Sequence, residues 1–262
     1  MSIEAAAEAL RRGDLVILPT ETVYGLAADA ANPLAVAKVY EAKGRPSFNP
    51  LIAHVSDVAA AQRIAAFDDR ARMLARAFWP GPLTIVAPAR EGVSDLARAG
   101  LDTVAVRVPA HPLARQLLEA FGGPVVAPSA NRSGRPSPTR FQDAVEETGA
   151  AAAVALDGGP CEIGLESTVV SLLDEPRLLR PGAVTRREIE ALLGPLAEAQ
   201  ADAKRSPGRM SLHYAPNAPV RIDAEAPREG EAYLAFGPSG SPFNLSPAGD
   251  LREAAANLFA ML

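Results

Sequence analysis

From its first residues to about residue 195, the chain alternates short apolar runs with longer segments that carry helix periodicity and helix caps. Leu15–Leu18, Leu51–Val55, Leu83–Ala87, Thr103–Val108, Pro124–Ala127, Ala153–Leu156, Thr168–Leu173 and Arg177–Leu179 read as strands. Glu4–Arg12, Pro33–Lys43, Ser56–Phe67, Asp68–Phe78, His111–Phe121, Thr139–Thr148 and Thr185–Leu193 read as helices. Pro33–Lys43 is the best marked of these, with Asn32 as N-cap, Pro at the first helical position and Gly44 to close it. Hairpin-like strand pairs and helical crossovers are mixed. This order predicts an α/β domain with a twisted, mixed parallel and antiparallel sheet, not a purely parallel one.

Beyond residue 195 the character changes. Ala, Gln, Lys, Pro, Gly and Ser dominate 196–219, which reads as a linker. Val220–Ile222 and Ala232–Phe236 look like strands, and Leu251–Leu262 looks helical. Residues 220–262 are too few for an independent core, so this second unit is expected to be truncated or to dock on 1–195.

Composition narrows the function classes. At 48% hydrophobic the chain is no disordered polymer, and its net charge of −5 argues against a basic nucleic-acid coat. Cys161 is the single cysteine, which excludes an intramolecular disulfide and a cysteine-rich zinc site. It reads as a bystander. His54, His111 and His213 are far apart in sequence, and no metal-ligand spacing appears. With neither a signal-peptide pattern nor a long apolar run, a soluble cytoplasmic protein without membrane contact is expected.

The usual phosphate-loop, dinucleotide-turn and nucleophile-elbow motifs are absent. Three polar loops instead follow apolar strands or helices, where α/β domains tend to bind ligands. They are Pro19–Leu26, Lys43–Pro46 with Asn49, and Pro128–Pro138. The first reads equally as a turn with capping threonines. The second reads as cations at a helix C-terminus, or as two cations converging on an anion. The third packs three serines, Asn131 and two arginines between a strand and a helix. Arg107 alternates with Val104, Val106 and Val108 and needs a partner, either a structural salt bridge or a ligand carboxylate. Phe78–Pro82 reads as a structural turn.

In order, PTETVYGL (19–26), KGRP (43–46), NPLIAHV (49–55), WPGPLT (79–84), LDTVAVRVPAHP (101–112), APSANRSGRPSPT (127–139), ESTVV (166–170) and LLRPG (178–182) resemble the YrdC-type family of threonylcarbamoyl-AMP synthases. SPGRMSLHYAP (206–216) is similar to the linker of that family's longer, two-domain form. The resemblance implies a twisted mixed sheet around a concave positive cavity, with a partial Rossmann-like unit after the linker. It implies synthesis of L-threonylcarbamoyladenylate and pyrophosphate from L-threonine, bicarbonate and ATP, as the first step of a tRNA modification. By the same resemblance Lys43, Arg45, Asn49, Thr103, Ser129, Asn131, Ser137 and Arg180 would hold ATP. Lys43 and Arg45 would offset leaving-group charge, and His213 and Tyr214 would close over the nucleotide. Thr20, His54, Arg107, the Ala127 backbone and Ser167 would hold threonine. Mg2+ would ride mainly on the phosphates. Downstream transferase proteins and a weak tRNA contact are the expected partners. A carbamoyl-adenylate-forming enzyme, an RNA-binding module without catalysis, and a sensor of threonine or ATP are the competing readings.

Overall fold

The structure is a computed structural model describing residues 2–46, 48–198, 215–216 and 218–262. Helix α1 (Ile3–Arg11) leads into β1 (Leu15–Leu18) and β2 (Gly25–Asp29), then α2 (Pro33–Lys43) and β3 (Ile52–His54). Next come α3 (Val58–Ile64), α4 (Asp69–Phe78), β4 (Leu83–Pro88), β5 (Thr103–Arg107), α5 (Pro112–Phe121) and β6 (Val125–Val126). They are followed by α6 (Phe141–Thr148), β7 (Ala152–Ala155), β8 (Thr168–Ser171), β9 (Arg177–Arg180), α7 (Arg186–Leu193) and β10 (Ala197–Glu198). The last elements are β11 (Leu234–Ala235), β12 (Phe243–Asn244) and α8 (Leu251–Met261).

Ten strands form one mixed sheet in the order β10-β9-β8-β4-β5-β3-β6-β2-β1-β7. Parallel pairs (β3 with β5, β4 with β8) alternate with antiparallel ones (β4 with β5, β3 with β6). The expected mixed sheet is therefore present. Local chemistry sets the helix ends. The Asn32 side chain accepts from Leu34 and Ala35 N–H, and Gly44 takes the left-handed conformation that stops α2. Thr185 and Glu188 form a reciprocal capping box on α7.

Strand periodicity divides the core. In β1, Leu15 and Ile17 join the large cluster that includes residues of α2, α3 and α4, while Val16 and Leu18 join the cluster beneath α1 and α5. Leu10, Ile17, Leu18 and Leu26 are wholly buried, each contributing about 1.5–3 kcal/mol relative to exposure. The central strands differ. Ala53, Leu83, Ile85, Val104 and Val106 enter the large core. Their neighbours Ile52, Val86 and Ala105 join Val169 and Leu179 in a small cluster contributed by strands alone. Beside that cluster, buried polar side chains are collected: His54, Thr84, Arg107 and Ser167.

Three sequence expectations change. Gly25–Asp29 is a strand, although its small residues carry no strand propensity; it forms because it is held between β1 and β6. A Cβ on Gly25 would lie 3.0 Å from the Ala127 Cβ, so glycine permits the close approach. Val220–Ile222 is not a strand: Val220 and Ile222 are 56% and 77% exposed. The strand expected at Ala232–Phe236 contracts to Leu234–Ala235, paired in parallel with Phe243–Asn244. In addition, β10 pairs with β9, so the sheet reaches into the segment expected to be linker. The C-terminal helix packs on the first unit: a Cβ on Gly164 would fall 2.5 Å from the Ala256 Cα. Among the described residues, no helix is long and apolar enough to cross a membrane.

Candidate active site

Strand alternation aims Arg107 and His54 at the same face, in register across the parallel β3–β5 pair. Both line a cavity walled also by Thr22, Arg45, Ser129, Ser167 and Arg180. Arg107 is 3% exposed and does not wait for a ligand to neutralise it. Its Nη2 donates to Glu21 Oε1 at 2.6 Å, its Nη1 to Thr22 Oγ1 at 2.9 Å and its Nε to the Gly81 carbonyl at 3.1 Å. Three of its five N–H groups are thus used, and the guanidinium is fixed with two to spare. Glu21 Oε2 accepts from the Ala110 N–H at 3.0 Å, which ties the pair to the approach to α5. Burial alone would raise the Glu21 carboxyl, but the Arg107 charge and hydrogen bonds outweigh it and hold it below its ordinary value.

The His54 pKa also falls, but for this base the shift favours the neutral form. Desolvation, followed by the Arg107 charge, lowers its pKa to about 3, so the ring is neutral at pH 7. Its Nδ1 lies 3.2 Å from the Ile52 carbonyl. A carbonyl only accepts, so that contact favours the Nδ1–H tautomer, and the Val125 backbone also bears on the ring.

The opposite wall is a second ion-pair network. Arg180 donates through Nη1 to Glu166 Oε2, through Nε to the Ser167 carbonyl at 3.0 Å and through Nη2 to Ser167 Oγ at 3.0 Å. Ser137 donates to the other Glu166 oxygen at 2.7 Å. Gly182 lets the two segments cross: a Cβ there would sit 2.4 Å from the Glu166 carbonyl oxygen.

Two family models match this chain in succession. The Sua5/YciO/YrdC family model, described as "Telomere recombination", matches residues 8–182. The model described as "Threonylcarbamoyl-AMP synthase, C-terminal domain" matches 184–262. The chain belongs to the threonylcarbamoyl-AMP synthase family. It is 46% identical over 233 residues to a Bacillus subtilis protein named threonylcarbamoyl-AMP synthase, covering 86% of this chain and 67% of that one. A protein of the same name from Pyrococcus abyssi is 46% identical over 235 residues, covering 87% and 69%. The chain thus spans about two thirds of the length of these relatives. The crystal structure of Pyrococcus abyssi Sua5 complexed with L-threonine aligns with a TM-score of 0.90 at 40% identity, over 99% of this chain and 84% of that one.

In this member of the threonylcarbamoyl-AMP synthase family, seven of the residues expected to bind substrates line the cavity: Arg45, His54, Arg107, Ala127, Ser129, Ser167 and Arg180. The others among the described residues are not on its wall. Thr20 Oγ1 donates to the Val23 carbonyl at 2.6 Å and accepts from the Val23 N–H, so its hydroxyl is spent on its own turn while Thr22 and Val23 reach the wall. Asn131 donates from Nδ2 to the Arg132 and Arg135 carbonyls, both at 2.8 Å, and so folds its own loop. Asn49 and Thr103 are buried, and the Asn49 carbonyl accepts from Tyr40 Oη at 3.0 Å. Lys43 is 2% exposed, with Nζ donating to the Ser129 and Asn131 carbonyls. Desolvation, with the Arg45 charge second, lowers its pKa to about 7, while Glu166 and Glu147 oppose that shift. His213 and Tyr214 lie outside the described residues. The carboxylates Glu21 and Glu166 are outside the set expected to bind substrates, although Glu21 lies in the first polar loop and Glu166 opens an apolar strand. The signal for them was charge balance: each buried arginine of the site needs an acid.

Proposed function

We propose that the chain is a nucleotidyltransferase that converts L-threonine, bicarbonate and ATP to L-threonylcarbamoyl-AMP and pyrophosphate. The observation that carries this reading is one cavity walled by Arg45, Arg107 and Arg180 with a neutral His54 and, among the described residues, no serine–histidine or cysteine–histidine pair. Such a wall recognises anions and leaves the nucleophile to the substrate. The threonine amine attacks the carbon of bicarbonate, and water leaves to give an N-carboxylate. A carboxylate oxygen then attacks the α-phosphorus, and the bond to pyrophosphate breaks. The two free N–H groups of Arg107 would take the amino-acid carboxylate. His54 Nε2 would accept from the substrate's amine or hydroxyl. Arg45, Arg180 and Ser129 would face the phosphates. The Pyrococcus abyssi structure with L-threonine supports the amino-acid half of this assignment.

The family's use of ATP implies a divalent ion. The cavity's own carboxylate, Glu166, is engaged by Arg180 and Ser137, and no three His, Cys, Asp or Glu side chains gather among the described residues. These walls suit phosphate oxygens better than a bare cation. Mg2+ would therefore enter as part of the nucleotide. In this reading residues 1–195, with β10 extending their sheet, form the catalytic unit and 220–262 a second unit. The protein works in the cytoplasm and hands its product to a tRNA-modifying transferase.

Pyrophosphate release from ATP and Mg2+, with threonine and bicarbonate omitted in turn, tests the proposal. Release that needs both is the expected result. Release without threonine overturns it, and salt-dependent RNA binding without turnover favours the RNA-module reading.

A further inference from the structure

We propose that Lys43 is a positioning residue that seats the 128–138 loop and does not itself touch the nucleotide. The inference rests on the reaction proposed above, because it concerns how the ATP wall is held. Lys43 ends α2, and the left-handed Gly44 turns the chain so that the next residue, Arg45, reaches the cavity wall while Lys43 points behind it. The Nζ of Lys43 meets the Ser129 carbonyl, the Asn131 carbonyl and, at 3.4 Å, Asn131 Oδ1. An ammonium has three N–H donors, and three protein oxygens already face them. The Lys43 backbone joins in: its carbonyl accepts from the Ser133 N–H at 2.8 Å. Asn131 completes the seat, since its amide nitrogen holds the carbonyls of Arg132 and Arg135. The loop grasped in this way presents Pro128 and Ser129 to the cavity.

A lysine that neutralises a phosphate must offer an unspent N–H to the ligand. Lys43 offers none, lies off the cavity wall and is almost wholly buried. Its ammonium is a three-point clamp, and it acts on ATP through the position of Ser129.

Hydrogen exchange of the free protein and steady-state kinetics of Lys43→Met test this together. The expected result is faster amide exchange across 128–138, a KM for ATP raised about 10-fold, and a kcat at saturating ATP within about 3-fold of the parent. Asn131→Ala, which keeps the lysine but removes part of its seat, should give the same exchange signature with a smaller rise in KM. It serves if the first variant does not fold. Unchanged exchange in the loop with a kcat lowered about 100-fold would overturn the proposal and restore a direct phosphate contact. Exchange is read without substrate, so an inactive parent protein would sink the proposed reaction and leave the clamp to be judged separately.

Discussion

Two buried cations, Arg107 and Lys43, lie at the same depth, 3% and 2% exposed, but their charges are handled differently. Arg107 has a full carboxylate beside it and two further oxygens around it. Lys43 is held by carbonyl and amide oxygens, and among the described residues no carboxylate approaches it within ion-pair distance. The first arrangement cancels charge locally; the second solvates it with dipoles. The difference shows in the lysine, whose pKa falls to about 7 through desolvation and the Arg45 charge. A charge-cancelled arginine can serve as the rigid floor of a cavity at any pH where Glu21 is ionised. A dipole-solvated lysine can order a loop, but only at the cost of being easy to deprotonate.

The sharpest way to break the comparison is to remove one partner of the cancelled pair. Arg107→Ala strands Glu21 inside the protein and should destabilise it by about 3–5 kcal/mol, read as a fall in the urea midpoint at pH 7. The double variant with Glu21→Ala should lose less than the sum of the singles, because no orphan charge remains. Equal additivity would show that the two side chains do not depend on each other.

Glu21→Gln keeps the shape and loses the charge, so a smaller loss of about 1.5–3 kcal/mol is expected at pH 7. The pH dependence has a definite sign. Glu21 titrates below its ordinary value when folded, so its contribution is complete above the ordinary carboxylate range and is lost as pH falls through the folded value. Urea midpoints of parent and variant should therefore converge on acidification. A constant gap would assign the effect to packing.

Lys43 should show a slope of the same sign in a higher pH window. Its folded pKa is about 7 against an ordinary 10.5, so between these values the unfolded chain holds a proton that the folded chain has released. Stability of the parent relative to Lys43→Met should rise with pH, by about 2 kcal/mol between roughly pH 6.5 and pH 9. The groups that set this are Arg45, which favours deprotonation, and Glu166 and Glu147, which resist it. A flat difference would mean that the carbonyl seat keeps the ammonium fully charged.

The same contrast explains what was legible in the sequence. Helix ends were readable because a cap involves neighbours: Asn32 with Leu34 and Ala35, Thr185 with Glu188, His111 with Leu113. The polar loops were readable as a site because hydroxyls and cations were concentrated after strands. Partners were not. Arg107 and Glu21 are 86 residues apart, and Lys43 and Asn131 are 88 apart. The demand for a partner on Arg107 could be deduced from its strand; the identity of that partner is decided by sheet topology. β2 escaped because a strand of Gly, Leu, Ala and Asp is made by its place between β1 and β6, not by its own residues.

A third cation sharpens the comparison with the smallest effect. Arg180 is paired like Arg107, but its acid, Glu166, is shared with the buried hydroxyl of Ser137. Ser137→Ala removes one hydrogen bond to a carboxylate that Arg180 still neutralises, so the cost should be about 1 kcal/mol in the urea midpoint. Ser137 also lies on the 128–138 loop, so its hydroxyl is a second tether for the segment that Lys43 seats. If both tethers hold the loop independently, the ATP KM changes of Ser137→Ala and Lys43→Met should multiply in the double variant. A less than multiplicative change would show that the arginine pair and the lysine seat act on the loop as one unit.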